Sequence, residues 1–279
     1  HGQKMLEYAQ RAGMEPKAYA DEIAPRHQQL WDALHISYDR FIRTTDADHY
    51  AAVETFWQSS AANGDIYKSK YEGWYCVTDE NFVLESQALT GTGDAQQKIC
   101  PECHGVLTWK SEESYFFRWS KYQGFIEEYL RDNPHFIEPS FRGREMVNSF
   151  LKPGLQDISI SRSSIKWGIP VPGDPKHIMY VWVDALTNYL TGVGYPDVDG
   201  ELFQKFWPAD VHIIGKDIIR FHSVYWPAFL MSAGIELPRR VHAHGFLFNA
   251  GEKMSKSVGN VVDPIDLVDA FGLDTVRFF

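Results

Sequence analysis

Val211-His212-Ile213-Ile214-Gly215-Lys216-Asp217-Ile218-Ile219-Arg220-Phe221-His222-Ser223-Val224-Tyr225-Trp226 begins as an apolar strand, turns at a glycine and continues with helical spacing. The apolar period changes at Gly215 from that of a buried strand to that of a helix. A parallel strand meeting its helix in this way puts the turn at the carboxyl edge of a sheet, where open α/β folds bind ligands. Gly215 permits close approach there, and Asp217 can accept a ribose hydroxyl or cap the helix. Along that helix, expected over Asp217–Ala233, the residues Ile218, Phe221, His222, Tyr225 and Trp226 share one stripe. Such a stripe ordinarily faces a core, with its histidine hydrogen-bonded inside it.

Outward from this unit, strands are expected at Ile158–Ser161, Ile178–Val183 and Val241–Phe248, beside Val211–Ile214, with a further helix near Asp184–Thr191. The alternation predicts an α/β fold, a Rossmann-like doubly wound parallel sheet covered by helices on both faces. The first sixty or so residues read as helices, from about Gln3 to Ala12, from Pro16 onward, and from a cap at Asp46 or Asp48 to Asn63-Gly64. Tyr38–Thr44 alternates like a strand between them. From Ile66 to Gln97 the texture changes to short aromatic strands and turns, and helices return at Trp119–Arg131 and Phe141–Leu151, so that the middle of the chain reads as an insertion.

With 18 Phe, 14 Tyr and 9 Trp among 279 residues, the chain can bury a sizeable core. No apolar run approaches the roughly 20 residues of a membrane span, and the sequence reads as soluble and cytoplasmic. A net charge of −10 argues against a general nucleic-acid binder but not against an enzyme gripping one folded RNA, because phosphate contacts are local. Both ends read as internal to a longer chain.

Two further segments carry chemistry. Lys253-Met254-Ser255-Lys256-Ser257 puts two lysines in a short loop entered through Gly251 and left through Gly259. Flexible ammonium groups suit a triphosphate whose charge shifts during reaction; the alternative is a solvated basic turn. Cys100-Pro101-Glu102-Cys103 has the spacing of half a zinc knuckle. Cys76 and Asp79 offer the other ligands, with His104 as an alternative fourth, and Asp79 stands where a softer ligand is usual.

The lysine loop resembles the signature of class I aminoacyl-tRNA synthetases. Four more segments resemble that family in the expected order, and its methionyl-tRNA synthetase branch in particular: Trp167-Gly168-Ile169-Pro170, Tyr180-Val181-Trp182-Val183-Asp184-Ala185, Ile214-Gly215-Lys216-Asp217-Ile218 and His242-Ala243-His244-Gly245-Phe246. The resemblance implies ATP bound by Gly215, Asp217, His244, Gly245 and Phe246 together with Lys253, Met254, Ser255, Lys256 and Ser257. It implies a methionine pocket of Trp182, Ala185, Tyr189, Ile218, Phe221, His222 and Trp226, with Arg162 near the carboxylate and with Tyr189 and His222 reading the sulfur. Lys253 and Lys256 would stabilise the leaving pyrophosphate with Mg²⁺, tRNA would be the partner, and zinc on the knuckle would be structural.

It further implies a division into 1–65 and 157–249 as halves of the catalytic domain, 66–156 as a connective-peptide insertion, and 250–279 as the lysine loop and the start of stem-contact helices. The family's His-x-Gly-His signature and its anticodon-binding domain are missing from the sequence, as expected of a fragment. Synthetases for valine, isoleucine or leucine usually carry a larger insertion, and the cysteine enzyme needs a pocket thiol that this stripe lacks. A non-catalytic RNA-binding paralogue, or a nucleotidyltransferase of the same superfamily, is the rival of a different class.

Overall fold

The computed structural model describes residues 1–278 apart from 79–80, 84, 86, 92–96, 250 and 255–258; of residues 71, 81 and 112 only the backbone is described. At its centre, His212–Gly215 pairs in parallel with Val241–His244, which pairs in parallel with Ile137–Glu138. Ile214, Val241 and Ala243 turn inward from these strands and are at most 4 % exposed. They join one core with Phe56 and Trp57 of the helix Ala47–Ala62, Leu186 and Leu190 of Val181–Thr191, and Trp226 and Phe229 of Trp226–Ser232. The strand Ile137–Glu138 thus lies in the parallel sheet although the sequence division groups it with the insertion.

A long antiparallel hairpin stands beside this core. Ile66–Cys76 pairs with Thr108–Phe117 from Ile66 opposite Phe117 to Tyr75 opposite Thr108, flanked by Asn81–Val83 and Ile158–Ser159. Its far end carries the cysteine turn.

Four expectations are corrected. Ile158–Ser161 and Ile178–Val183 do not join the parallel sheet. Asp174–Met179 runs antiparallel to Ser161–Arg162 and to Pro170–Val171. The loop between Arg162 and Asp174 holds no helix, and parallel neighbours need a crossover, usually a helical one. The strand also ends at Met179, so Val181-Trp182-Val183 opens a helix in which Val183, Leu186 and Leu190 are buried at helical spacing. A short apolar run buried on all sides looks alike in either state. Tyr38–Thr44 makes no ladder. Tyr38 and Phe41 set their ring edges on Trp31, Arg40 donates to the Thr191 carbonyl and Arg43 pairs with Asp21, so side chains hold the segment.

The helix expected over Asp217–Ala233 is broken into a short 3₁₀ turn, Lys216–Ile218, a π-helical turn, Phe221–Tyr225, and the α-helix Trp226–Ser232. Pro227 has no N–H to give to the preceding turn, which relaxes the ladder there. Among the described residues, no helix is long and apolar enough to cross a membrane.

Asp65 ties the helical layer to the hairpin. Fully buried, it accepts hydrogen bonds from Tyr122 Oη at 2.5 Å, Lys121 Nζ at 2.6 Å and Ser232 Oγ at 2.9 Å. Burial pushes its carboxyl up, but these bonds outweigh it and hold the group below the usual carboxylate range. A carboxyl depressed in the folded state stabilises above its unfolded pKa and loses that effect as pH falls through its folded value. Asp65→Ala should cost about 2–4 kcal/mol in urea unfolding at neutral pH, because Tyr122 and Ser232 lose a buried acceptor. The cost should shrink toward pH 3.

Candidate active site

The parallel register puts Gly215 opposite His244, so the ends of the two strands open on the same edge. A Cβ built on Gly215 would stand 2.6 Å from Asp217 Oδ1, so only glycine leaves that carboxylate where it is. Asp217 lies inside the 3₁₀ turn, whose N-cap position is Gly215, and it stands on the wall of a cleft of about 460 Å³.

Trp182, Ala185 and Phe221 meet Asp217 in that cleft. Trp182 and Phe221 stack with centroids 3.8 Å apart and planes 10° apart, which gives the cleft a flat aromatic floor. Sequence reasoning missed several wall residues. Tyr180 opens a motif quoted above but was given no role, Arg220 follows another, His1 comes from the first helix's lead-in, and Thr78 and Glu102 come from the cysteine turn. Arg220 Nη1 reaches Glu102 Oε1 at 3.9 Å across the opening, and its guanidinium lies 4.6 Å over the Phe221 ring. No short-range signal links Glu102 to Arg220; only the fold joins them.

Asp184 anchors the helix beneath the floor. With 1 % exposure, it accepts from His1 Nδ1 at 2.5 Å and from His49 Nε2 at 2.8 Å. Tyr50 Oη lies 3.2 Å from the other nitrogen of His1, with its phenol pushed up by burial and by the Asp184 charge, so it is the natural donor there.

Tyr189, Ile218, His222 and Trp226, also expected in the methionine pocket, lie behind the stacked floor and do not line the cleft. His222 Nδ1 donates to the Ile218 carbonyl at 3.0 Å, so its Nε2 accepts from Tyr189 Oη at 2.8 Å. Burial keeps Tyr189 protonated, with its pKa pushed up to about 12, and lowers that of His222, chiefly through desolvation. His212, pushed down to about 3 by burial and then by His222, accepts from the Trp226 indole N–H. In this arrangement the protons of Tyr189 and His222 are both committed, and neither points a donor at a thioether.

Arg162 is separate again. Its Nη1 donates to Ser159 Oγ and the Ser161 carbonyl, each at 2.7 Å, and its guanidinium lies over the rings of Tyr180 and Phe82. It is 5 % exposed, and its buried Nε has no hydrogen-bond partner among the described residues, an arrangement costing about 1–3 kcal/mol when left unmet.

At the strand edge, Lys253 Nζ lies 3.5 Å from the Phe246 ring centroid and Lys216 Nζ lies 4.3 Å from it. Lys216 was not singled out from sequence, yet it doubles the positive charge here. Phe248–Asn249 and Glu252–Lys253 form a small hairpin, Met254 N–H bonds the Leu247 carbonyl, and Asn260 Nδ2 bonds the Lys253 carbonyl. His244 and Gly245 are exposed beside it. Ser255, Lys256 and Ser257 lie outside the described residues.

Cys76, Cys100 and Cys103 bring their sulfurs within 4.8 Å of one another, and the Cys76–Cys103 pair is 3.3 Å apart. Tetrahedral zinc with bonds of about 2.3 Å sets sulfurs about 3.8 Å apart, so the donor set fits such an ion. His104 is exposed and outside the cluster, and Asp79 lies outside the described residues.

A cleft at the carboxyl edge of a parallel sheet, with paired lysines beside it, marks an α/β nucleotide-binding fold. The family model described as tRNA synthetases class I (M) matches residues 1–279, and the chain belongs to that family. It is 55 % identical over 279 residues to the methionine–tRNA ligase of Mycobacterium tuberculosis and 52 % identical to that of Clostridium tetani. All of the chain is covered in both comparisons, against 53 % and 42 % of those relatives, so it spans about half their length. A crystal structure of M. tuberculosis methionyl-tRNA synthetase bound by methionyl-adenylate superposes with a TM-score of 0.93 at 54 % identity, covering 100 % of this chain and 54 % of that one. The apo form of that enzyme gives 0.82 at 52 % identity, covering 94 % and 50 %.

Gly215→Ala should push the Asp217 carboxylate aside and weaken ATP binding about tenfold or more, measured by equilibrium dialysis, with the unfolding midpoint little changed. Unaltered ATP affinity would remove Asp217 from the nucleotide site.

Proposed function

We propose that the protein containing this chain joins methionine to its tRNA at the expense of ATP. The observation that carries the reading is the convergence of Trp182, Ala185, Asp217 and Phe221 on one cleft in a chain of this family. The methionine carboxylate attacks the α-phosphate of ATP, a P–O bond forms in line, and the bond to pyrophosphate breaks. Asp217 holds the ribose, Gly215, His244, Gly245 and Phe246 shape the nucleotide edge, and Lys253 with Lys256 neutralises the charge that builds on the leaving pyrophosphate. Met254, Ser255 and Ser257 complete that loop. Lys216, packed on the same ring as Lys253, adds to its charge. Mg²⁺, when bound with the triphosphate, supplies further charge neutralisation there.

The hydroxyl at the 3′ end of the tRNA then attacks the adenylate carbonyl carbon. The C–O bond to AMP breaks, and the hydroxyl proton passes to the departing phosphate. No side chain forms a covalent intermediate. Ala185 and the Trp182–Phe221 stack seat the methionine side chain, and the Tyr189–His222 pair, with Ile218 and Trp226, sets the polarity behind them. The protein works in the cytoplasm. Residues 66–156 act as the connective insertion, and 250–279 hold the lysine loop and begin the stem-contact helices.

ATP–pyrophosphate exchange on the intact protein should require methionine and respond to no other amino acid. Lys256→Ala should slow that exchange about 100-fold or more while leaving methionine affinity within about twofold; exchange at the normal rate would end the assignment of that lysine. We further propose one structural zinc on Cys76, Cys100 and Cys103, with Asp79 as the fourth ligand. Metal analysis of purified protein should find one zinc per chain, and none in Cys100→Ala.

A further inference from the structure

Cys76 and Cys103 stand in two segments that both reach the cleft wall. Thr78 follows Cys76 by two positions and Glu102 directly precedes Cys103, and both line the cleft. The two sulfurs are 3.3 Å apart, closer than the roughly 3.8 Å that a shared tetrahedral ion would set. Cys76 is 1 % exposed and closes the strand Ile66–Cys76, where it pairs with Asn81. Cys103 is half-buried in the turn, so it is the sulfur of this pair that a small oxidant can reach.

A reachable sulfur in contact with a second one is the arrangement that yields a disulfide on oxidation. Metal binding keeps such groups as thiolates, which is their reactive form. A disulfide bond of about 2.05 Å requires the pair to close by more than about 1 Å. Paired backbone holds Cys76, so the turn carrying Cys103 makes the movement. That turn has little slack. A Cβ built on Gly105 would stand 3.3 Å from Cys103 Sγ and 3.4 Å from Thr78 Oγ1, so the three residues are packed together. At the cleft, Glu102 Oε1 is 3.9 Å from Arg220 Nη1, already at the long end of an ion pair. A movement on the order of 1 Å is enough to part them.

We infer that Cys76 and Cys103 form a redox-modification site, at which a peroxide closes a disulfide, displaces the structural metal and pulls Glu102 off Arg220. The inference rests on the zinc assignment above and, for its effect on activity, on the proposed function. The Cys103 thiolate attacks one oxygen of hydrogen peroxide, the O–O bond breaks, and hydroxide leaves a sulfenic acid on Cys103. Attack by the Cys76 thiolate then forms the S–S bond and releases a second hydroxide. Two electrons pass from the sulfurs to the peroxide, and the two hydroxides take up two protons to become water. Of the three sulfur ligands only Cys100 then remains, too few to retain the ion. In a reducing compartment such disulfides are transient and serve as sensors.

The test treats the intact purified protein with hydrogen peroxide. Followed together are peptides digested without reduction, zinc released to a chromogenic chelator, and methionine-dependent pyrophosphate exchange. A Cys76–Cys103 cross-linked peptide should appear, and zinc release should keep pace with it. Exchange should fall about fivefold or more and return with a thiol reductant and zinc. In Glu102→Gln, which leaves the cysteines in place, the cross-link should form as before while oxidation changes exchange by less than about twofold. A cross-link through Cys100, or sulfinic acid with no cross-link, overturns the inference. So does a cross-linked protein that exchanges at the untreated rate, or an equal loss in Glu102→Gln. Absence of metal before treatment would instead overturn the zinc assignment, and absence of exchange the proposed function; in either case the peptide map still decides the disulfide.

Discussion

Everything at the carboxyl edge depends on one register, Gly215 opposite His244 in the parallel pair. Parallel pairing repeats every two residues, so a slip by one would turn Ile214 and Ala243 to solvent and drive exposed neighbours into the core. The burial of Ile214, Val241 and Ala243 therefore fixes the register energetically. Once it is fixed, Asp217 and Lys216 leave one strand, and His244, Phe246 and Lys253 follow the other.

The second constraint is the buried carboxylate of Asp184. A carboxylate stripped of water is tolerated only with donors on both oxygens, and His1 and His49 supply them from two different segments. That requirement pins the lead-in of the first helix and the Ala47–Ala62 helix to the helix that carries Trp182 and Ala185. The aromatic floor is held flat from below by a polar clamp, and from the side by Arg220.

The cysteine turn is part of this arrangement and not an appendage. Thr78 and Glu102 reach the cleft because the long hairpin, Ile66–Cys76 with Thr108–Phe117, carries the turn back over the sheet edge. Antiparallel pairing over that length makes the hairpin a stiff arm. The position of the turn is then set by the root of the hairpin, where Asp65 holds Tyr122, Lys121 and Ser232 together.

The sequence by itself determined the α/β class, the glycine turn at Gly215, the helix Gln3–Ala12, which Gly13 closes in the left-handed region, and the cysteine cluster. Each of these is local: a change of period, a residue tolerant of unusual backbone, or a ligand spacing written within a few positions. It misassigned Val181–Val183, because a short apolar run buried on every side carries no period. It also set Ile158–Ser161 and Ile178–Val183 in the parallel sheet, because strand direction is decided by the connection and not by the strand. Only the tertiary structure decided that Tyr189, His222 and Trp226 stand behind the floor, that Arg162 stands apart from the cleft lining, and that Glu102 meets Arg220. Those outcomes depend on which distant surfaces pack together and which buried polar groups find partners, and neither is encoded at any fixed spacing along the chain.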